Sequence, residues 1–159
     1  MKGDPAIIEA LNRVLANEMI AINQYFLHSR MLKDWGVNRL GEFEHQQSID
    51  EMKHADDLVE RILFLDGLPN LQDLGQLMIG EDVHEILKCD LKLEQDALPP
   101  LREGIVLCEQ ETDFVSRALL QTILDSEEDH IDFLEAQFDL IDRMGLENYV
   151  QLQSSPAGE

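Results

Sequence analysis

Two Glu-x-x-His pairs carry the clearest chemistry in this sequence, Glu51 with His54 and Glu127 with His130. Residues three apart on a helix lie on one face, one turn from each other. Each pair can therefore present a carboxylate and an imidazole to one metal ion. A single pair of this kind is weak evidence, because an acidic helical protein contains one by chance.

The spacing of two further glutamates makes the pattern much more specific. Glu18 and Glu94 each lie 33 positions before the glutamate of a pair, and the second set of residues follows the first at a constant offset of 76. The chain thus contains the same constellation twice. Glutamate and histidine side chains solvated on helix surfaces are the alternative interpretation, and the repeated spacing argues against it.

The apolar pattern places these glutamates on the inner faces of helices. Glu18 is flanked by apolar residues at offsets of three, four and seven, and Glu94 and Glu127 lie in similar apolar stripes. One Glu from each of two helices and one Glu-x-x-His from each of two others form the dimetal site of a class of four-helix bundles. We therefore predict that the six residues converge.

Charge counting predicts two metal ions rather than one. Four buried carboxylates carry four negative charges, which two divalent ions neutralise while His54 and His130 stay neutral. Oxygen ligands with one imidazole per ion favour iron or manganese, and zinc could compete. We expect Glu51 and Glu127 to bridge the ions, with Glu18 and Glu94 as terminal ligands.

Helical periodicity and capping signals predict an all-α four-helix bundle, and the repeated Glu and Glu-x-x-His set resembles that of ferritin-like bundles. The first helix begins at Asp4-Pro5 and continues to about Asp34, and the second extends from about Asn38 to Leu65. The long segment 66–81 can cross the whole bundle, so helices two and three can be parallel. Other signals give the remaining bounds: Asp82 with Glu85 opens helix three, Pro99-Pro100 should kink or loosen it, Thr112-Asp113 opens helix four, Gly145 ends it, and 146–152 form a short fifth helix.

Length and composition indicate one domain, residues 1–152, with a disordered tail at 153–159. The formal charge of −21 argues against nucleic acid and anionic membrane surfaces as partners. Cys89 and Cys108 indicate neither a disulfide framework nor a zinc site, and no signal or membrane segment is apparent, so we expect a cytoplasmic protein. The polar run containing Glu42, Glu44, Gln46, Gln47 and Asp50 should add to an acidic surface that attracts Fe(II).

With these residues in place, the chain resembles the bacterioferritins over residues 1 to about 152. The resemblance is close in several short strings: Met1 to Asp4, Asn23 to His28, Ile49 to Asp56, Ile62 to Leu71, Cys89 to Glu94, Ser126 to Asp132 and Leu146 to Tyr149. These strings separate the chain from ferritin-like oxygenases.

The resemblance implies a shell of 24 subunits that stores iron. It implies that two iron ions per subunit are oxidised from Fe(II) with O2 or H2O2 and kept as an Fe(III) mineral. It also implies a haem b shared by two subunits, with Met52 as an axial ligand from each, and a ferredoxin-type electron donor. Met52 lies about 100° around its helix from Glu51, so it need not face the bundle core. Without the family, Met52 would more often be interface packing.

Three positions refine or depart from what the resemblance implies. Tyr25 lies two turns after Glu18 and can approach the site, either as core packing or with a hydrogen-bonding or redox role. Gln46 stands where several members carry a histidine that, with the acid matching Asp50, binds iron on the inner wall. Phe133 stands where a Trp often occurs, which removes one possible electron donor.

Two other classes of function compete with iron storage. One is a ferritin-like di-iron oxygenase or peroxidase, which would need neither the haem methionine nor the contacts of a shell. The other is a mainly structural, haem-binding subunit of a mixed shell, which would need a degraded dimetal site. All six ligand positions are present, which argues against a degraded site.

The shell that the resemblance implies is either homo-oligomeric or shared with a second ferritin subunit.

Overall fold

A computed structural model of the chain describes residues 1–154 and contains five helices there. Their bounds are α1 Pro5–Asp34, α2 Asn38–Phe64, α3 Val83–Gln110, α4 Phe114–Met144 and α5 Leu146–Gln153. The predicted all-α bundle with a short fifth helix is confirmed. The fifth helix ends at Gln153, one residue beyond the predicted 146–152. Residues 155–159 of the predicted tail lie outside the described part.

Three of the four long helices, α1, α3 and α4, begin where a side-chain oxygen accepts from a free backbone amide. Asp4 accepts from the amide of Ala6 at 2.8 Å, directly before the proline at the first helical position of α1. Asp82 accepts from the amide of Glu85 at 2.8 Å, and Asp113 accepts from that of Ser116 at 3.0 Å. These carboxylates satisfy donors that have no partner within the first helical turn, which stops α3 and α4 from extending backwards.

Each of the four long helices is followed by a residue whose backbone has a left-handed conformation. Gly36 and Gly145 have φ of 82°, but α2 and α3 end at Asp66 and Thr112, with φ of 60° and 59°. After Asp66, the amide of Gly67 donates to the carbonyl of Ile62 at 2.9 Å, which closes the end of α2. This hydrogen bond helps to hold the non-glycine end of α2 despite the steric cost of a left-handed backbone at Asp66.

Two apolar clusters occupy opposite ends of the bundle. One joins the start of α1, the end of α2, the end of α3 and the start of α4, through Ile7, Ile62, Cys108 and Leu120 among others. The second joins the end of α1, the starts of α2 and α3, and the end of α4, through Leu32, Leu40, Ile86 and Leu134 among others. Helices α2 and α3 begin at the same end of the bundle and are therefore parallel.

The segment 65–82 makes this parallel arrangement possible by returning along the bundle. Its last part is tied to α1 by two hydrogen bonds. The amide of Met78 donates to Gln24 Oε1 at 3.0 Å, and the amide of Gly80 donates to His28 Nε2 at 3.1 Å. The crossover is thus held by buried polar side chains as well as by apolar contact.

The polar middle of the bundle lies between the two apolar clusters. The middle of each long helix, where the six predicted ligands lie, is therefore in the interior of the bundle.

Helix α3 continues through Pro99 and Pro100 without interruption. Of the helices in the described part of the chain, none has the length and apolar content needed to cross a membrane.

Gly80 should be the least replaceable glycine of the crossover. A Cβ at Gly80 would lie 2.4 Å from the backbone nitrogen of Ile86, whereas one at Gly75 would meet only the flexible side chain of Ile20. We expect Gly80→Ala to lower the unfolding free energy of the metal-free protein by roughly 1–3 kcal/mol. The matched change Gly75→Ala should alter it by less than about 0.5 kcal/mol. Denaturant unfolding measures both, and equal losses would contradict this account of the crossover.

Candidate metal centre

The bundle gathers all six predicted ligand residues at its centre. The four carboxylates of Glu18, Glu51, Glu94 and Glu127 are almost completely buried, and His130 is only 8% exposed. His54 is slightly more accessible. Each of the four long helices contributes one glutamate, and α2 and α4 add the histidines three residues further on.

The six residues form two groups that share two members. Glu18, Glu51, His54 and Glu127 offer ligand atoms within 4.8 Å of one another, and Glu51, Glu94, Glu127 and His130 do the same. Two adjacent positions for metal ions follow from this geometry. A single ion could not bind both groups, because Glu18 and His54 belong to one group and Glu94 and His130 to the other.

Distances to the imidazoles separate shared from unshared carboxylates. Glu51 lies 3.1 Å from His54 Nδ1 through Oε2 and 3.2 Å from His130 Nδ1 through Oε1. Glu127 similarly presents one oxygen to each histidine, both at 3.8 Å. Glu51 and Glu127 thus face both positions with different oxygens, as bridging ligands do.

The other two glutamates each approach one histidine. Glu18 Oε2 lies 3.4 Å from His54 Nδ1, and Glu94 Oε1 lies 3.3 Å from His130 Nδ1. Each is therefore placed as a terminal ligand of one position. The two halves of the site are related by the same repeat of Glu with Glu-x-x-His that the sequence contains.

Several oxygens of the centre lack hydrogen-bond partners among residues 1–154. They are Glu18 Oε2, Glu51 Oε1 and Glu127 Oε1. Buried polar atoms are nearly always satisfied, so unsatisfied ones in a native protein require an explanation. Ligation of cations would supply it, because all three atoms belong to residues of the two overlapping ligand groups.

Electrostatics in the metal-free centre favour protons where cations would bind. Burial, and then the charge of Glu51, raises the pKa of Glu18 well above its usual value. Burial raises the pKa of Glu94 to about 7, although His130 opposes the rise. Burial also acts on Glu51 and His130, but hydrogen bonds outweigh it: they lower the pKa of Glu51 and raise that of His130 to about 10.

Tyr25 lies directly beside one half of the centre. Its hydroxyl donates a hydrogen bond to Glu94 Oε1, and its ring meets the His130 ring edge-on at a centroid distance of 6.5 Å. Burial, and then the charge of Glu94, raises the pKa of Tyr25. The phenol therefore orients a predicted terminal ligand, whichever further role it has.

Met52 lies outside the bundle core. Its side chain is 52% exposed, one residue after the fully buried Glu51, so its thioether is accessible to a group bound on the outer face of α2. An accessible sulfur at this position fits the residue type that an axial haem ligand requires. The geometry separates the predicted haem position from the dimetal centre.

The two departures noted in the sequence have structural counterparts. Gln46 donates its side-chain amide to Asp50 Oδ1 at 3.0 Å, which occupies one oxygen of the acid that an inner-wall iron site would use. Phe133 stacks on Phe43 with ring centroids 3.7 Å apart. An apolar stack thus occupies the place where a tryptophan often stands in the family.

The sequence analysis missed a second buried polar cluster, formed by Gln24, His28, Glu44 and Asp90. All four side chains have 0% exposure, so Glu44 does not contribute to the acidic surface as expected. Spacing offered a signal, because Glu44 lies two helical turns before Glu51 and Asp90 one turn before Glu94. The polar neighbours of Glu44 suggested a surface position, although its spacing places it on the same helix face as the predicted ligand Glu51.

Comparison with known proteins agrees with the fold. A family model described as a ferritin-like domain matches residues 8–144. A bacterioferritin from Brucella melitensis is 49% identical over all of this chain and 99% of its own length. Bacterioferritins from Mycobacterium tuberculosis and Rhodobacter capsulatus are 47% and 45% identical, over 94% and 98% of this chain and 94% and 97% of their own lengths. The chain belongs to the ferritin family and, within it, to the bacterioferritins.

Proposed function

We propose that this protein stores and detoxifies iron by oxidising Fe(II) at the six-residue centre and keeping Fe(III) as a mineral inside a shell of 24 subunits. The observation that carries the proposal is the pair of overlapping ligand groups, each with one imidazole and access to both shared carboxylates. Membership of the bacterioferritins supports the same function, because the relatives match over nearly the whole chain.

Fe(II) is the substrate that this donor set suits. Two ions neutralise the four carboxylates, so substrate binding removes the repulsion that burial creates in the metal-free centre. Binding also displaces protons from Glu18, Glu94 and His130, whose pKa values are raised. Two Fe(II) ions held side by side can together give two electrons to O2 or H2O2, which avoids release of a one-electron product.

Individual residues have distinct tasks in this proposal. Glu51 and Glu127 hold the two ions at a short separation by bridging them, and each histidine completes one end. Tyr25 holds Glu94 through its hydroxyl, which fixes the orientation of the terminal carboxylate. Leu93, Ala21 and Met78 pack around Tyr25 and limit the access of water from that side.

Met52 is the proposed haem ligand, one from each of two subunits that share a haem b. Two-fold symmetry brings a residue opposite its own counterpart at an isologous contact, so the exposed Met52 residues of two subunits would together hold the haem. Haem would supply one-electron transfer between a ferredoxin-type donor and the stored mineral. Reduction is needed because Fe(III) mineral is insoluble, whereas Fe(II) can leave the shell.

The competing functions receive less support from the described residues. A mainly structural haem-binding subunit would have a degraded dimetal site, yet all six residues are present and gathered. An oxygenase acting on an organic substrate would need space for that substrate beside the ions. Beside Glu94, the buried side chain of Tyr25, which packs with Leu93 and Ala21, lies against the centre instead.

Removal of one terminal ligand should separate oxidation from assembly. We expect Glu94→Ala to slow the initial oxidation of Fe(II) by at least about 10-fold, because one ion loses its terminal carboxylate. The control Glu103→Ala removes an exposed glutamate from the same helix and should leave the rate unchanged. Stopped-flow absorbance measures the rate and size-exclusion chromatography the assembly. An unchanged rate in Glu94→Ala would contradict the assignment.

Metal affinity should increase with pH in the neutral range. Burial raises the pKa of Glu94 to about 7, so below that pH a proton competes with the metal for this carboxylate. His130, whose pKa is raised to about 10, must also lose its proton to become a ligand. We expect affinity for Co²⁺ to rise by about tenfold per pH unit for each proton displaced. Calorimetry in buffers of different ionisation enthalpy counts those protons, and the absence of any release would contradict the scheme.

Replacement of Met52 should remove haem without affecting rapid iron oxidation. In Met52→Leu we expect the absorption of bis-methionine haem to disappear, while the initial oxidation rate stays within about twofold, since Met52 lies outside the centre. Iron release driven by a reduced ferredoxin should then slow. The control Met144→Leu changes a methionine of the apolar cluster and should retain haem. An unchanged haem spectrum in Met52→Leu would place the ligand elsewhere.

A further inference from the structure

The buried pair of Glu44 and Asp90 is not used by the six-residue centre. One ligand atom from each of Glu44, Asp90 and His28 lies within 4.8 Å of the others, and all three side chains have 0% exposure. The pair lies toward the end of the bundle where α2 and α3 begin. Glu44 precedes Glu51 by seven residues, about 10 Å along the helix at 1.5 Å per residue, so the pair is separate from the dimetal ligands.

Asp90 is held firmly through one of its oxygens. Gln24 Nε2 donates to Asp90 Oδ1 at 3.0 Å, and His28 Nδ1 lies 2.9 Å from the same atom. The amide of Gly80 donates to His28 Nε2, so the ring proton must be on Nδ1 and His28 is a neutral donor to Asp90. Both nitrogens of His28 are therefore occupied, and the residue orients Asp90 instead of acting as a ligand.

The opposite oxygens of the pair are left without partners. Asp90 Oδ2 and both oxygens of Glu44 have no hydrogen-bond partner among residues 1–154. The dimetal centre shows the same signature at Glu18, Glu51 and Glu127. A carboxylate fixed by outer donors, with its other oxygen unpartnered and a second buried carboxylate within a few ångströms, is the arrangement that supports a metal ligand in proteins.

Charge and ligand counting favour a divalent cation over a proton at this place. A proton shared by the two carboxylates leaves one negative charge buried and at least one oxygen of Glu44 unsatisfied. A divalent cation would neutralise both carboxylates and give their unpartnered oxygens a ligand role. Without such a cation, burial and the charge of Asp90 raise the pKa of Glu44, which reflects the same repulsion.

We propose that Glu44 and Asp90 form a third metal site of this chain, which binds one hard divalent cation through carboxylate oxygens, with His28 and Gln24 as positioning residues. Because the site offers oxygen ligands only, it should select ions of the Mn²⁺ and Mg²⁺ kind rather than those that prefer nitrogen or sulfur. The proposal does not depend on iron oxidation at the dimetal centre.

Anomalous diffraction from crystals of the assembled protein soaked in MnCl2 tests this site directly. We expect a manganese peak within bonding distance of both Glu44 and Asp90, in addition to the peaks among the six dimetal residues. Absence of a peak at Glu44 while the dimetal peaks are present would overturn the proposal and leave a shared proton there. Absence of the dimetal peaks would instead count against the proposed function, so the two failures are distinguishable.

Two variants make the assignment specific. Glu44→Gln keeps the shape of the side chain and, since Glu44 has no hydrogen-bond partner among the described residues, should preserve the fold. It should abolish the third peak, keep the dimetal peaks, and bind one fewer Mn²⁺ per chain in an electron paramagnetic resonance titration. The control Asp96→Asn removes an exposed carboxylate from α3, the helix that carries Asp90, and should retain every peak. A third peak of unchanged height in Glu44→Gln would overturn the proposal.

Discussion

Burial of carboxylates in the middle of a helical bundle is the constraint on which the rest of this structure depends. Each ionised carboxylate taken out of water carries a penalty of several kcal/mol, which only cations, protons or well-placed donors can offset. Glu18, Glu51, Glu94 and Glu127 converge in two overlapping groups, and three of them have an oxygen without a hydrogen-bond partner among residues 1–154. The repulsion that makes this arrangement unfavourable without cations would favour the binding of divalent ions.

The apolar clusters at the two ends of the bundle make such a centre tolerable. They fix the ends of all four long helices, so the polar middle cannot relax by separating them. Rigid packing on both sides keeps the carboxylates within a few ångströms of one another. The crossover adds to this rigidity, because Met78 and Gly80 bond to Gln24 and His28 of α1.

Outer donors then decide what each buried carboxylate can do. Tyr25 donates to Glu94, and His28 with Gln24 donates to Asp90, which leaves the opposite oxygen of Asp90 free. The same arrangement occurs in the dimetal centre and beside it. A polar layer between the apolar clusters thus extends beyond the six residues that the repeated motif contains.

The sequence by itself determined the helices, the crossover and the six residues of the centre. Apolar periodicity, capping residues and the constant offset between two motifs are local or regular signals, which need no knowledge of neighbouring helices. Helix geometry indicated that Met52 need not face the core, and resemblance to the bacterioferritins added its predicted haem role. The burial of Glu44 could be predicted only in part, because its spacing from Glu51 indicated the inner helix face but its polar neighbours suggested a surface position.

Only the tertiary structure decided how these side chains meet. Periodicity shows which face of a helix a residue occupies, but not which residue lies opposite on another helix or which oxygen it presents. The two oxygens of Glu51 face different histidines, and the amide of Gly80, from a crossover far along the chain, sets the tautomer of His28. Such pairings depend on helix packing and loop path, so they emerge once the chain has folded.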